Sequence, residues 1–189
     1  HCIEAYTVQL HQPITDALAL KGISMIAENL EKAYENGEDR EARRNMMIAS
    51  TIGGMAFISS NVGAVHAFAE TVGAWFDTPH GVANSLFLPY IMEFNIPACP
   101  ERFADIADAM GIEREESMSD EQYALKAVEY VKALNRKLNI PTIKEIKGIT
   151  EERFEAIAER SANNVLSNDN ARKITKEDYL ELLKKAYNE

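Results

Sequence analysis

The stretch Gly53–Phe76, GGMAFISSNVGAVHAFAETVGAWF, decides the fold. Glu70 is its only charged residue, and it is long enough to be weighed as a membrane span. Asn61, His66, Glu70 and several Gly and Ser residues argue against lipid as its solvent, as does a mean hydropathy of −0.27 for the whole chain. A helix apolar on all sides belongs instead at the centre of a soluble helical bundle. The nearly uncharged run extends from Ala49 to Tyr90, with breaks expected at Gly73 and at Thr78-Pro79-His80-Gly81.

Helical signals extend outward in both directions. From Pro13 to about Tyr34, Ile14, Leu18, Ile23, Ile26 and Leu30 recur at helical spacing, and Pro13 suits a first turn. Asn36-Gly37 ends that helix, and Asp39 caps the next, which runs towards Gly53-Gly54. Amphipathic helices are expected at about 101–110, 119–138, 150–165 and 175–187. Capping boxes begin two of them, at Ser119…Gln122 and Thr175…Asp178. Alternating β-branched runs and hairpin dipeptides are missing, and no repeat is visible. The expected fold is all-α, a multi-helix bundle.

The 189 residues carry a net charge of −10, which repels phosphate backbones and anionic lipid; neither nucleic acid nor membrane is an expected partner. Two cysteines, Cys2 and Cys99, make no disulfide scaffold and fit reduced thiols in a cytoplasmic protein. The chain opens at His1 without Met or a signal-peptide pattern, as a piece of a longer polypeptide would.

Chemistry centres on the few histidines. His66 lies among core residues, where an imidazole either satisfies a backbone carbonyl or serves as a ligand. His80 lies fourteen residues on, about 21 Å away along an unbroken helix. A chain reversal between them would bring both rings to one transition-metal ion. His1 is a third candidate on a helical start, and Glu4 reads as a solvated acid. No nucleophile elbow, phosphate loop, dinucleotide fingerprint or H-E-x-x-H motif occurs.

Gly54-Met55-Ala56-Phe57, Val65-His66-Ala67, Asp77-Thr78-Pro79-His80-Gly81-Val82-Ala83-Asn84 and Leu88-Pro89-Tyr90-Ile91-Met92-Glu93-Phe94-Asn95 together resemble the iron-containing (group III) alcohol dehydrogenase family. So do His1-x-x-Glu4-Ala5-Tyr6 near one end and Asn170-Ala171-Arg172 with Thr175-Lys176-Glu177-Asp178 near the other. The resemblance implies that residues 1–189 form the helical, metal-binding C-terminal domain, with a dehydroquinate synthase-like α fold. Metal-binding helices would occupy about 1–97 and an amphipathic helical cap about 98–189. An N-terminal α/β domain, which binds NAD(P) in the family, would lie outside this chain.

By the same resemblance, His1, His66 and His80 are metal ligands to Fe2+ or Zn2+, joined by an Asp four positions before His1. Phe57, Val62 and Leu166 line the substrate and nicotinamide pocket. Many members have a second histidine four residues after the His66 position. Here Glu70 stands there, on the helix side of His66 and near the reacting groups. The implied activity is NAD(P)-dependent alcohol oxidation or aldehyde reduction, with the metal polarising the alcohol or carbonyl oxygen for hydride transfer. The implied partners are a small alcohol or aldehyde, the N-terminal domain, and a second copy in a homo-oligomer, a dimer first. Residues 1–189 alone would be inactive. Two other readings stand beside this one: a folded, catalytically inactive domain, and part of a zinc-dependent polyol dehydrogenase of the glycerol type.

Overall fold

The computed structural model describes residues 1–189 and contains helices and turns without a strand. The α-helices are α1 (Cys2–Thr7), α2 (Pro13–Glu35), α3 (Arg40–Ser60), α4 (Ala64–Phe76), α5 (His80–Asn95), α6 (Pro100–Ala109), α7 (Asp120–Lys137), α8 (Phe154–Ala162) and α9 (Lys176–Asn188). Short 3-10 turns at Ile96–Ala98, Ile143–Glu145, Glu151–Arg153 and Val165–Asp169 link several of them. The all-α expectation holds, and no single helix is long and apolar enough to cross a membrane.

Two compact units interleave along the chain. The first comprises residues 1–62 and 96–127, the second residues 63–95 and 128–189. Each therefore draws on both the earlier and the later part of the sequence.

In the first unit, α2 and α3 form a helical hairpin across the link at 36–39. The Asp39 carboxylate accepts from the backbone N–H of Glu41 and Ala42, satisfying two donors that a helix start leaves free. Asn45 donates to Asn29, whose own amide donates to the Met25 carbonyl, so the hairpin carries one specific polar crosslink. Helix α3 runs through Gly53-Gly54 and on to Ser60. Those glycines remain helical, and the chain turns at Asn61, in the left-handed region with φ 74°.

The second unit is built around α4, in which Ala64–Ala69, Thr71 and Val72 are buried. Phe68 stacks on Phe87 of α5 and meets Tyr179 of α9 edge-on. Gly73 lies inside α4 rather than breaking it. A Cβ there would stand 3.3 Å from the Thr78 carbonyl, so its smallness admits the chain folding back after the helix. Pro89 sits within α5 and supplies no N–H to the Ser85 carbonyl one turn earlier. Asn135 of α7 donates to that carbonyl at 2.7 Å and makes good the loss.

Later boundaries follow the caps. Ser119 and Gln122 exchange reciprocal bonds, as do Thr175 and Asp178, so both expected capping boxes form. The expected helix over 150–165 is instead a 3-10 turn followed by α8. Val165 falls in the next 3-10 turn, whose start is capped by Asn164.

Candidate metal centre

The geometry of the second unit begins with the reversal between α4 and α5. Asp77 adopts a left-handed conformation (φ 50°, ψ 38°), and Pro79 disfavours helix at Thr78, so α4 ends and α5 starts at once. His66, in the first turn of α4, and His80, the first residue of α5, thereby face each other. Their ring centroids are 5.2 Å apart, and a ligand nitrogen of each lies within 4.8 Å of one on the other. Two imidazoles bound to one ion at about 2.1 Å have nitrogens roughly 3–4 Å apart, so small ring rotations suffice. His66 is buried and His80 exposed, giving one fixed and one accessible donor.

Asn84, one turn beyond His80, donates to the His80 carbonyl at 2.9 Å and has its amide nitrogen 3.1 Å from His80 Nε2. Its own side-chain oxygen is buried without a protein partner. Asn84 was legible only as a member of the Asp-Thr-Pro-His-Gly-Val-Ala-Asn block; the i, i+4 spacing from His80 is the signal for its contact.

The start of α4, and with it His66, is held by a residue more than a hundred positions away. Asn170 accepts from the Ala64 N–H at 3.3 Å, exchanges two bonds with Asn95 (3.0 and 2.7 Å), and donates to the Arg172 carbonyl. Arg172 in turn covers the Phe94 ring at 4.2 Å and donates to the Phe94 carbonyl. Thus the Asn-Ala-Arg segment clamps the N terminus of α4 to the C terminus of α5. Asn170→Ala is expected to lower stability by about 2–4 kcal/mol, because it leaves several buried polar groups unpaired. Thermal melting should show a fall of roughly 5–12 °C, and an unshifted midpoint would refute the clamp.

Other site candidates fall into distinct surroundings. Glu70 is exposed and accepts from Asn164 at 2.7 Å. It lines a cavity of about 490 Å³ with Thr71, Trp75, Glu159 and Arg160. The Asn164 oxygen meanwhile accepts from the Leu166 N–H at 3.0 Å, so Glu70 anchors the turn that carries Leu166. Leu166 is partly buried against the second unit's core. In the first unit, the His1 ring lies 4.4 Å from that of Phe57, and Val62 is buried. Burial raises the Cys2 thiol pKa, and burial with nearby Glu101 pushes Cys99 up to about 11. Neither is poised as a thiolate.

A family model for the C-terminal part of the Fe-containing alcohol dehydrogenase family matches residues 1–187. Over 190 aligned residues the chain is 40% identical to alcohol dehydrogenase 4 of Saccharomyces cerevisiae, covering 99% of this chain and 48% of the yeast protein. It is 37% identical to the NADPH-dependent butanol dehydrogenase of Clostridium saccharobutylicum, at the same coverages. The solved alcohol dehydrogenase from Oenococcus oeni superposes with a TM-score of 0.94 at 38% identity, covering 98% of this chain and 48% of that one. An all-helical domain of a family of oxidoreductases is thus defined. The chain belongs to the Fe-containing alcohol dehydrogenase family, and it spans about half the length of these relatives.

Proposed function

We propose that residues 1–189 are the metal-binding half of an NAD(P)-dependent dehydrogenase that oxidises small alcohols or reduces the matching aldehydes. His66 and His80 are ligands to a divalent ion, and His1, from the His-x-x-Glu-Ala-Tyr match, is a third. The observation that carries this reading is the approach of His66 and His80, fourteen residues apart in sequence, to a ring separation of 5.2 Å in a member of this family.

The residues fit the group. Imidazole nitrogens suit Fe2+ and Zn2+, and a carboxylate upstream of His1 would complete a set with room for substrate. When bound, the ion supplies Lewis acidity that polarises an alcohol or carbonyl oxygen. The nicotinamide, held mainly by a nucleotide-binding domain in the complete polypeptide, supplies the hydride chemistry. This chain's own residues prepare the site. Burial in α4 limits the freedom of the His66 ring, and the α4–α5 reversal with Asn84 positions His80. On the family resemblance, Phe57, Val62 and Leu166 are the apolar pocket residues, whose role would be to exclude water and strengthen local electrostatics. Glu70, through Asn164, steadies the Leu166 wall. In this reading the complete enzyme works in the cytoplasm as a homo-oligomer, a dimer first.

The test uses the complete polypeptide. Chelation should reduce alcohol-dependent NAD(P) reduction to below about 1% of the starting rate, and Fe2+ or Zn2+ should restore it. His80→Ala should lower metal content and turnover together, by roughly a hundredfold or more in rate. Full turnover with unchanged metal content in His80→Ala would refute the assignment.

A further inference from the structure

Helix α1 (Cys2–Thr7) follows His1 directly and packs against α2, α3 and α6. Its position is imposed by the surrounding first unit. At one end the Arg102 guanidinium lies 3.8 Å above the Tyr6 ring. Its Nε–H donates to the Tyr6 carbonyl, and a terminal N–H donates to Asp16, both at 2.7 Å. The Tyr6 hydroxyl donates to Asp105. That end is pinned by contacts to both α2 and α6.

At the other end stands Cys2, 5% exposed, with its sulfur between two glycines on different helices. A Cβ added to Gly22 of α2 would lie 2.5 Å from Cys2 Sγ, 3.7 Å from Cys2 Cβ and 3.5 Å from an Ile52 methyl group. A Cβ added to Gly53 of α3 would lie 3.2 Å from the same sulfur and 4.0 Å from His1 Cβ. Both glycines have ordinary helical backbones, so conformational freedom does not explain them. What they provide is space: a notch that receives the Cys2 side chain and draws the start of α1 against the α2–α3 hairpin.

We infer that Gly22, with Gly53, is a positioning residue for His1: the glycine notch seats Cys2, and the seat sets where the adjacent imidazole stands. The inference rests on the proposed reading of His1 as a metal ligand. A methyl group at position 22 would stand 2.5 Å from the sulfur, which must then move, and Gly53 bounds that movement on the other helix. With Tyr6 pinned by Arg102, the displacement falls on the His1 end of α1. Metal–ligand distances tolerate only a few tenths of an ångström, so a shift near 1 Å there is felt as lost affinity.

The experiment measures Co2+ affinity and the visible Co2+ absorption spectrum in the complete polypeptide, together with melting of the metal-free protein. Gly22→Ala should weaken Co2+ binding at least about tenfold and alter the spectrum. In a Cys2→Ala background, where the sulfur is gone, the same substitution should weaken binding less than about threefold. That rescue separates positioning from general loss of stability. If Gly22→Ala does not fold, Gly53→Ala makes the test with the milder 3.2 Å contact, in the same two backgrounds. Unchanged Co2+ affinity, or an equal loss with and without Cys2, overturns the inference. His1→Ala distinguishes the two levels. If it leaves Co2+ binding intact, the ligand reading fails. If it weakens binding while Gly22→Ala does not, only the seat fails.

Discussion

Replacing His66 with leucine in the complete polypeptide is expected to cut turnover about a thousandfold while moving the melting point of the metal-free protein by only a few degrees. The two effects separate because they arise from different balances. For stability, a buried imidazole is exchanged for a side chain of similar bulk inside a helix whose neighbours Val65, Ala67, Phe68 and Ala69 are all apolar and buried. Losing a hydrogen-bonding ring costs about 1 kcal/mol, and burying an apolar side chain returns a similar amount. For function, the one buried histidine of the proposed ligand set disappears, and the histidines that remain, His80 and His1, are both exposed. A Lewis acid contributes several kcal/mol to stabilising charge on a reacting oxygen, and about 4 kcal/mol is a factor of a thousand in rate. The check is paired: metal content and kcat/KM on one side, melting in chelator on the other. A variant that keeps metal and turnover would show that His66 is a core histidine and nothing more.

That separation also explains why the helices were legible in sequence and the site only partly so. Caps and breakers act within a few residues, so Asp39, Ser119…Gln122, Thr175…Asp178 and the Thr78-Pro79 turn could be read directly. Glycine misled because it has two uses. Gly73 read as a break on local propensity, yet it is helical and serves close approach to the Thr78 carbonyl, as helical Gly53 does to Cys2. The true break, at Asn61, needed a left-handed asparagine that no neighbouring residue announces. His66 and His80 were identifiable as a pair because one reversal joins consecutive helices. The supports of the site were not, because they couple distant positions: Asn170 to Ala64 and Asn95, Asn164 to Glu70, Asn135 to Ser85. Single-sequence periodicity reports which face of a helix is buried, and it carries no information on which distant side chain meets that face.

Phe68→Ala is expected to be the most destabilising single change in the second unit, costing about 3–5 kcal/mol. Phe68 is fully buried at the crossing of three helices. Its ring stacks on Phe87 at 4.2 Å with planes 11° apart, and Tyr179 meets it edge-on at 4.6 Å and 87°. Truncation removes both aromatic contacts and opens a void that rigid neighbours cannot fill. Tyr179 is held by the hydrogen bond between its hydroxyl and Ser167 at 2.7 Å, and Ser167 donates to the Ser161 carbonyl. Phe87 lies on α5, whose Pro89 and Asn135 contact resist a compensating shift. Phe68→Leu should lose distinctly less, because it retains most of the volume while forfeiting the ring geometry. Urea denaturation would show the midpoint falling in the order parent, Leu, Ala, with little change in slope. The loss has a functional side, since Phe68 lies two residues from His66 on α4 and Phe87 lies on the helix that His80 begins. If the α4–α5 packing sets the distance between those imidazoles, metal affinity should fall in the same order as stability. Equal stability of the Leu and Ala variants would mean that the ring pair, and not the filled volume, holds the two helices together.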